Sequence, residues 1–501
     1  MNAPRHECDL LVVGGGINGA GIARDAAGRG LKVLLCEQHD LAAHTSSAST
    51  KLIHGGLRYL EQYEFRLVRK ALAEREVLLD AAPHIMWPLR FVLPHEPHLR
   101  PAWMIRAGLF LYDHLARRRR LPASETVDLR RHPAGAPLRR NERKGFVYSD
   151  GWVDDARLVV LNAIDARERG ASVLTRTRCT RIVREHGGWS ASLVAADGAR
   201  STVRARAVVN AAGPWVGAFL DQATPVRARR AVRLVKGSHI IVPQLFEHGY
   251  AYIFQNLDRR IIFAIPYQHR FTLIGTTDVD YHADPARPVI APDEVTYLCE
   301  LASRYFVRAV TPADVVGSYS GVRPLLEDES ADPSSVTRDY SFELDFDGPP
   351  LLSVFGGKIT TYRRLAEDAL HQLLPALRVE AAPWTREAPL PGGDMPGRDF
   401  EMFRAHLGQR LPGFGPALLD RLARAYGTRL SAVIGAARTP DDLGEEVLPG
   451  LHAAEIGYLC RSEWARTAED ILWRRTKLGL VLPAAAAATL DDWLARHPPH
   501  G

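Results

Sequence analysis

Residues 9–37 (DLLVVGGGINGAGIARDAAGRGLKVLLCE) constrain the fold of this chain more than any other stretch. Residues 9–13 are mostly apolar and β-branched, which is typical of a buried parallel strand. Gly14, Gly16 and Gly19 follow at the G-x-G-x-x-G spacing, which permits a sharp turn, a close approach to a pyrophosphate and tight helix packing. The next helix, beginning near Asn18, directs its free N–H groups at the phosphates. The stretch therefore predicts a dinucleotide site at Gly14, Gly16, Asn18 and Gly19.

Two further features indicate which dinucleotide binds. Glu37 lies 18 residues after Gly19, at the end of the next strand, where it can accept hydrogen bonds from a ribose and would repel the 2′-phosphate of NADP. A second strand, Gly-Gly turn and helix occupies residues 350–370, and the positive end of that helix can stabilise charge on a reduced flavin. A simple NAD enzyme has no need of it. We therefore predict FAD, held here by Glu37, Gly357, Lys358, Ile359 and Thr360.

Composition sets broad limits on the chain. With 501 residues, 46% hydrophobic and 24% charged, it is expected to be a soluble globular protein of two or three domains. Five scattered cysteines without a C-x-x-C pair exclude the usual structural zinc and iron–sulfur spacings, so no metal site is predicted. We see no signal peptide and no apolar run of about 18 residues, and expect a cytosolic or membrane-surface protein. The net charge of +6 fits anionic substrates, anionic membranes or nucleic acid.

A hydroxyl-rich segment, residues 45–50, follows the ribose-binding end of the second strand. It is either a solvated loop that caps helices or a loop that crosses the flavin face. Because it comes directly after Glu37, we favour the second interpretation, in which Arg58 and Tyr59 point at a ligand. Candidate cofactor-binding residues here are Thr45, Ser46, Ser47, Ser49, Lys51 and Leu52.

Later segments supply further candidates. A buried strand at 204–216 ends in small residues, and we expect Ala212 and Gly213 to lie near the dinucleotide, although Gly-Pro-Trp also fits a plain tight turn. Residues 230–320 alternate as an antiparallel, substrate-covering sheet. His239 interrupts one apolar strand and is either a core residue or a catalytic one. Thr276 and Asp278 lie in a turn, while Arg323 and Arg338 occupy positions where a side chain can be aimed.

The helix expected at 100–120 carries Trp103, Met104, Leu109, Phe110 and Leu111 and ends in four arginines at 117–120. It is either a buried helix with a solvated basic end or an interfacial helix that meets anionic lipid. Beyond a Gly/Pro-rich linker at 390–397, helical patterns occupy 398–410, 415–437, 453–481 and 489–497. They predict a helical C-terminal domain without a catalytic constellation.

Several of these motifs together resemble one family. GGGINGAG (14–21), TSSASTKLIHGGLRYLE (45–61), VKGSHIIVP (235–243), IGTTDVD (274–280), YSGVRPL (319–325), TRDY (337–340) and FGGKITTYR (355–363) are similar to FAD-dependent, respiratory glycerol-3-phosphate dehydrogenases. The resemblance implies oxidation of sn-glycerol 3-phosphate to dihydroxyacetone phosphate, with electrons passed to membrane quinone. It also implies a peripheral, usually dimeric protein on the cytoplasmic face of the inner membrane. The substrate pocket implied by similarity contains Arg58, Tyr59, His239, Arg323, Arg338 and Lys358.

The implied fold is α/β: a glutathione-reductase-like FAD-binding Rossmann domain with an inserted antiparallel substrate sheet and an all-helical C-terminal domain. We expect an oxidoreductase region at 1–384 and a helical domain at 385–501. Within the first region, the FAD-binding parts are expected near 1–82, 150–225 and 318–384. The substrate-covering parts are expected near 83–149 and 226–317.

The chemistry of the implied substrate agrees with the residues available. A phosphate dianion needs several cations, and the chain offers Arg58, Arg323, Arg338 and Lys358. Histidine is the usual base near neutral pH, so His239 is the first candidate and His54 the second, with Arg323 beside them and Thr276 and Asp278 as further substrate contacts. One alternative is an oxidase of the same fold that uses oxygen and a phosphorylated, amino-acid or hydroxy-acid substrate. The other is a non-catalytic FAD-binding or nucleic-acid-binding module, but no nucleic-acid motif is present.

Overall fold

The computed structural model describes residues 5–60, 63–96, 99–139, 143–256, 260–326 and 339–498. Its strands, in chain order β1 to β20, are Arg5–Val13, Val33–Cys36, Leu52–Ile53, Met86–Pro94, Glu125–Asp128, Lys144–Val153, Ser172–Leu174, Thr177–Glu185, Gly188–Ala195, Arg200–Asn210, Val232–Pro243, Ala251–Gln255, Ile261–Tyr267, Phe271–Gly275, Val279–Asp280, Gly317–Leu326, Ser341–Asp345, Leu351–Phe355, Glu446–Leu448 and Leu451–His452. Its α-helices, α1 to α12, are Ile17–Gly28, Phe65–Ala81, Ala102–His114, Asp155–Glu168, Val216–Ala223, Pro292–Tyr305, Tyr362–Leu377, Phe400–Arg410, Pro416–Tyr426, Leu430–Ile434, Ala453–Ser462 and Ala486–Arg496.

The first sheet carries the dinucleotide fingerprint. Its strands lie in the order β17-β18-β10-β1-β2-β7, and β1 runs parallel to β10 and to β2. Helices α1, α4 and α7 pack together on this sheet around a fully buried aliphatic core. Because β1, β10 and β18 are parallel, their carboxyl ends meet at one edge, where ligands of open α/β sheets bind. The predicted strand, glycine turn and helix at residues 9–37 are confirmed.

The second sheet is mostly antiparallel and has the order β15-β11-β14-β13-β12-β4-β6-β3, with β16 on β11 and β5 on β6. It forms the predicted substrate-covering sheet. One strand differs from the expected division: β16 lies in the range 318–384 that we assigned to FAD binding, yet it pairs with β11 along ten residues. Its Val235↔Arg323 and His239↔Tyr319 pairs bring two predicted site regions together. The domain limits themselves stay predictions.

Helix α3 departs from the buried-helix interpretation of residues 100–120. Trp103 is 70% and Phe110 57% exposed, and Met104 and Leu111 are also on the surface, while Leu109 is buried. The helix ends at His114, before the arginine run. Arg120 binds Asp80, and Arg118 lies near Asp113, so part of the basic charge is already compensated within the protein.

The C-terminal domain has its own hydrophobic core and is helical, with one small hairpin formed by β19 and β20. The pattern at 453–481 is not one helix: α11 stops at Ser462, Trp464 has a φ of +57°, and a six-residue π-helix follows at Asp470–Arg475. The pattern at 415–437 is likewise divided into α9 and α10. Within the described ranges, no helix is both long and apolar enough to span a bilayer.

Candidate active site

An open cleft with about 1240 Å³ of empty space lies at the carboxyl edge of the first sheet. It is lined by the glycine turn, by the segment that follows β2, by the end of β10 and by the second Gly-Gly turn. Predicted cofactor residues in this lining are Gly14, Gly16, Asn18, Glu37, Thr45, Ser46, Ala212, Gly213 and Gly357. The structure thus brings together segments that are more than 300 residues apart in sequence.

The glycine turn fits a bound dinucleotide. Gly14 has a φ of +110°, and a Cβ on it would lie 2.5 Å from the Ala211 carbonyl oxygen. A Cβ on Gly19 would lie 1.9 Å from the Gly14 carbonyl oxygen, so α1 packs directly on the turn. Asn18 donates to the Gly356 carbonyl at 3.2 Å, and its buried Oδ1 has no hydrogen-bond partner among the described residues. These features provide the close approach and the unpaired polar atom that a cofactor requires.

Glu37 lies at the end of β2, as predicted, and its carboxylate is already oriented by the protein. It accepts from the Gly15 N–H at 2.6 Å and from the His39 N–H at 2.8 Å. Burial raises the pKa of Glu37, and Asp40 adds to this, while the two backbone donors oppose it. Ribose binding by Glu37 stays a prediction.

The hydroxyl-rich segment closes one side of the cleft. Thr45 donates to the Val322 carbonyl at 2.6 Å, and Ser46 Oγ accepts from Ile17 N–H at 3.0 Å. Ser47 Oγ donates to the His44 carbonyl, and Ser49 Oγ donates to Asp155 at 2.7 Å. All four hydroxyls hold the loop, and Thr45 and Ser46 also line the cleft, whereas Ser47 and Ser49 do not. Binding of the cofactor by this segment stays a prediction.

Lys51 and Leu52 lie outside the lining of the cleft. Lys51 Nζ bonds to Asp155 Oδ1 at 2.7 Å and to the Ser47 carbonyl at 3.0 Å, and the side chain is only 3% exposed. Lys51 instead lines a second cavity, between this loop, β16 and the C-terminal domain. Its ammonium therefore links the loop, through the Ser47 carbonyl, to Asp155 at the start of α4.

Arg323, which we predicted to bind the substrate phosphate, lies on β16. Its guanidinium pairs with Asp278 and donates to Thr276 Oγ1 at 3.2 Å, and a quarter of the side chain stays exposed. A Cβ on Gly237 would lie 2.4 Å from Arg323 Nη2. The predicted residues Arg323, Thr276 and Asp278 thus form one cluster that packs closely over Gly237.

His239 lies on the same face of β11. It is 1% exposed, Nε2 is 3.0 Å from Thr50 Oγ1, and its ring stacks on Tyr319 with centroids 4.8 Å apart. A Cβ on Gly275 would enter this ring. Burial, reinforced by Arg323 and Lys51, holds the pKa of His239 well below its usual value. The imidazole is therefore neutral near pH 7 and able to accept a proton, while Nδ1 has no partner among the described residues.

The remaining predicted residues surround this surface. Lys358 Nζ lies 3.9 Å from the centroid of the Tyr59 ring, a cation–π contact that joins two predicted substrate residues. The His54 N–H donates to Thr360 Oγ1 at 3.3 Å, which places His54 beside the second Gly-Gly turn. Arg338 and the side chain of Arg58 lie outside the described part of the chain.

Sequence reasoning missed the support behind this surface. Glu294, on α6, accepts from Lys236 Nζ at 2.7 Å, Thr277 Oγ1 at 2.7 Å, Ser238 Oγ at 2.9 Å and the Ala291 N–H at 2.8 Å. Burial would raise the pKa of Glu294, but these donors lower it below its usual value. The carboxylate ties the residues next to His239 and Asp278 to one helix. The sequence gives one hint of this support: the chain has only seven lysines, and Lys236 is one of them.

Comparison with known proteins identifies the scaffold. The family model described as "FAD dependent oxidoreductase" matches residues 9–363, which is well over half of the chain. The chain belongs to the FAD-dependent oxidoreductase family. The predicted FAD cofactor is thereby confirmed, and the cleft described above is the predicted place for it. A second model, "C-terminal domain of alpha-glycerophosphate oxidase", matches residues 383–495.

Relatives cover nearly the whole chain of this FAD-dependent oxidoreductase. A glycerol-3-phosphate dehydrogenase of Pseudomonas aeruginosa is 57% identical over 98% of this chain and 96% of its own. An aerobic glycerol-3-phosphate dehydrogenase of Escherichia coli K12 is 51% identical, with coverages of 98% and 97%. A D-erythritol 1-phosphate dehydrogenase of Brucella abortus is 52% identical, covering 97% of both chains. The family resemblance inferred from the motifs is confirmed.

A solved structure agrees with this assignment. The glycerol-3-phosphate dehydrogenase of Bacillus halodurans, complexed with FAD, matches with a TM-score of 0.78 and 29% identity over 98% of this chain and 90% of its own. An L-α-glycerophosphate oxidase of Mycoplasma pneumoniae matches with a TM-score of 0.59 at 16% identity, over 77% of this chain and 99% of its own. The second match shows the shared fold alone, in a chain that has no counterpart for about a quarter of this one.

Proposed function

We propose that this FAD-dependent enzyme oxidises sn-glycerol 3-phosphate to dihydroxyacetone phosphate and passes the electrons to a membrane quinone. The observation that carries the proposal is identity above 50%, over nearly the full chain, to two proteins named glycerol-3-phosphate dehydrogenase. The cation-rich, histidine-containing surface beside the FAD cleft supports it independently.

Arg323 and Lys358 are the described cations available for the phosphate, and Arg58 and Arg338 are proposed to join them. Asp278 holds the Arg323 guanidinium in place, which would orient it towards a phosphate without a search of rotamers. Lys358, over the Tyr59 ring, supplies a compact point charge. Because C2 lies only a few bonds from the phosphate, a bound phosphate limits where C2, the reacting carbon, can lie relative to FAD.

His239 is proposed to take the proton of the C2 hydroxyl. Its lowered pKa keeps the imidazole neutral, and Nδ1 is proposed to accept the proton in the tautomer in which Nε2–H donates to Thr50 Oγ1. Bound FAD supplies the hydride acceptor for the hydrogen on C2. His54 is the second candidate for the base, because it lies beside the second Gly-Gly turn.

The cofactor would be held by the glycine turn, the N-terminus of α1, Glu37 and the turn at Gly356 and Gly357. The positive end of the segment that follows this turn favours negative charge on the reduced flavin. Residues 43–46 line one side of the same cleft.

The decisive experiment is anaerobic mixing of the yellow protein with glycerol 3-phosphate while the visible flavin absorbance is followed. We expect rapid bleaching, reversed by a quinone analogue. Absence of bleaching in protein that retains FAD would remove the substrate assignment. Peroxide formation matching substrate consumption in air would instead support the oxidase alternative.

Erythritol 1-phosphate is a second candidate substrate, because the Brucella relative named for it is 52% identical. The same mixing experiment with both compounds decides between them. We expect glycerol 3-phosphate to give the higher kcat/KM, and the opposite order would reassign the substrate to the longer polyol phosphate.

Access to a quinone requires a membrane surface, and α3 supports one. Its exposed Trp103 and Phe110 are large and apolar, and the helix packs against Leu57–Leu60, the turn that bears Tyr59. Arg117 and Arg119, at the end of this segment, are exposed and suited to anionic lipid. We propose peripheral attachment to the cytoplasmic face of the inner membrane.

Phe110→Glu tests this attachment. It should weaken sedimentation of the protein with anionic vesicles without altering flavin reduction. Unchanged vesicle binding would exclude α3 from the membrane contact.

The family resemblance also supports a homodimer. Light scattering of the purified full chain measures its molar mass directly, and a mass of 55.5 kDa would contradict the dimer.

A further inference from the structure

The segment that closes the FAD cleft is held from outside by the C-terminal domain. Asp40, which is 3% exposed, begins this segment. Its carboxylate accepts from both terminal nitrogens of Arg475 at 2.8 Å and from Arg474 Nε at 2.7 Å. The Arg475 side chain is completely buried, and it also donates to the Glu463 carbonyl. Asp40 of the FAD domain therefore forms ion pairs with two arginines of the C-terminal domain.

A second anchor holds the far end of the same segment. Lys477 Nζ lies 3.3 Å from Asp154 Oδ1, at the cap of α4. The neighbouring Asp155 accepts from Ser49 Oγ and from Lys51 Nζ, both at 2.7 Å. The C-terminal domain thus contacts the corner to which the end of the cleft segment is bonded.

Between the two anchors, residues 42–46 line the FAD cleft. Residues of the C-terminal domain, among them Trp473, Arg474 and Lys477, line only the second cavity on the other side of this segment. In the part of the chain that the structure describes, no residue after Gly357 lines the FAD cleft. The C-terminal domain therefore acts on the cleft through intermediate residues, among them residues 40–51 and Arg176, which binds Asp470 and precedes Thr177 of the cleft lining.

The ionic character of this contact argues for positioning. The Arg157–Glu463 pair is also fully buried across the same domain contact, and Arg176 binds Asp470. Burial would raise the pKa of Asp470, but Arg176, the Arg466 N–H and Arg474 lower it to about 2. Buried ion pairs cost desolvation and are often no more stabilising than apolar contacts, whereas loss of one partner is strongly destabilising. The pairs of Asp40 with Arg474 and Arg475 are of this kind, so loss of either arginine should disturb the position of the cleft segment.

We propose that the C-terminal domain is a clamp for FAD, in which Arg474, Arg475 and Lys477 hold residues 40–51 in the conformation that binds the cofactor. FAD affinity then depends on a domain that contributes nothing to the cleft itself. The proposal needs FAD binding but not the identity of the substrate, so it stands or falls separately from the proposed function.

The test uses the full chain with Arg475→Met. FAD is removed, the dissociation constant of added FAD is measured by flavin fluorescence, and amide hydrogen exchange of residues 40–51 is followed in the apoprotein. We expect at least tenfold weaker FAD binding and faster exchange in this segment, because FAD must then order it. An unchanged dissociation constant would overturn the proposal.

Arg421→Met is the matched control. Arg421 makes an equivalent two-pronged pair with Glu455, at 2.8 and 2.7 Å, but wholly within the C-terminal domain. It should lower the stability of that domain and leave FAD affinity within twofold of wild type. Equal weakening of FAD binding by both variants would show a general stability effect and refute the clamp.

Asp40→Asn approaches the same contact from the FAD domain and keeps the size of the side chain. Asp40 also lies near Glu37, so Asp40→Asn could change FAD binding without acting through the C-terminal domain. A double variant with Arg475→Met distinguishes this direct effect from loss of the contact with Arg475. In a clamp, Asp40→Asn and Arg475→Met together weaken FAD binding less than the product of their separate effects. Independent, multiplicative effects contradict it. If Arg475→Met does not fold, unchanged FAD affinity and exchange in Asp40→Asn alone overturn the proposal.

Discussion

Glu294→Gln tests whether the back of the second sheet positions the substrate surface. The carboxylate receives two donors on each oxygen: Ser238 and Thr277 on Oε1, Lys236 and the Ala291 N–H on Oε2. In one orientation the NH2 group of the amide faces two obligate donors, Lys236 Nζ and the Ala291 N–H; in the other it can donate to the Ser238 and Thr277 hydroxyls, but the negative charge opposite Lys236 is lost in both. Breaking a buried ion pair costs about 3–5 kcal/mol. Lys236 keeps the Val289 carbonyl at 2.8 Å, so we expect the lower end, about 3 kcal/mol.

That free energy is measured as local opening, because unfolding of a chain with several domains is not a single two-state step. A loss of about 3 kcal/mol predicts roughly 100-fold faster amide exchange in α6. The folded pKa of Glu294 is lowered, so its contribution is present above the unfolded value of about 4.3 and lost as pH falls below it. Glu300→Gln, exposed on the same helix, is the control. Exchange in α6 within threefold of wild type would refute the reasoning.

Three other substitutions follow from the geometry. Gly237→Ala displaces the Arg323 guanidinium, so KM for the phosphorylated substrate should rise at least tenfold while FAD stays bound. Gly249→Ala adds a methyl group in open space and should leave KM unchanged. Gly14→Ala, at a φ of +110° and against the Ala211 carbonyl, should yield protein without FAD; yellow protein would contradict it. Burial, with nearby Arg157 and Arg424, lowers the pKa of His84 to about 3, so thermal stability should be full above pH 6.5 and fall towards pH 3. His84→Gln should flatten that pH dependence, and an unchanged profile would exclude His84 as its cause.

Local patterns predicted the cofactor half of the molecule well. The turn at Gly14 and the acid at Glu37 lie in one continuous stretch, residues 9–37, and their predicted roles depend on spacing that can be read directly. The same holds for Gly357, at the second turn. FAD was predicted from these three positions because the role expected of each depends on the local backbone or on the strand immediately before it.

Contacts between distant segments were not predictable in this way. Asp40 and Arg475 are 435 residues apart, and neither lies in a recognisable motif. Lys51 was expected to bind the cofactor, but its ammonium serves Asp155, in a helix 104 residues away. A cation near a nucleotide site has two plausible partners in sequence, the cofactor or an acid elsewhere. The choice between them is made by tertiary packing, which spacing does not encode.

The substrate surface depends on strand register more than on any single side chain. Along β11, Gly237 and His239 face Arg323 and Tyr319, whereas Lys236 and Ser238 face Glu294 on the opposite side. Side chains alternate along a strand, so a slip of one residue would exchange the two sets and bury the lysine where the histidine belongs. The carboxylate of Glu294 opposes such a slip, because only the observed register gives it Lys236 and Ser238 together. The Lys236–Glu294 contact on one face of the sheet therefore fixes which residues lie on the opposite face, where we propose that the substrate binds.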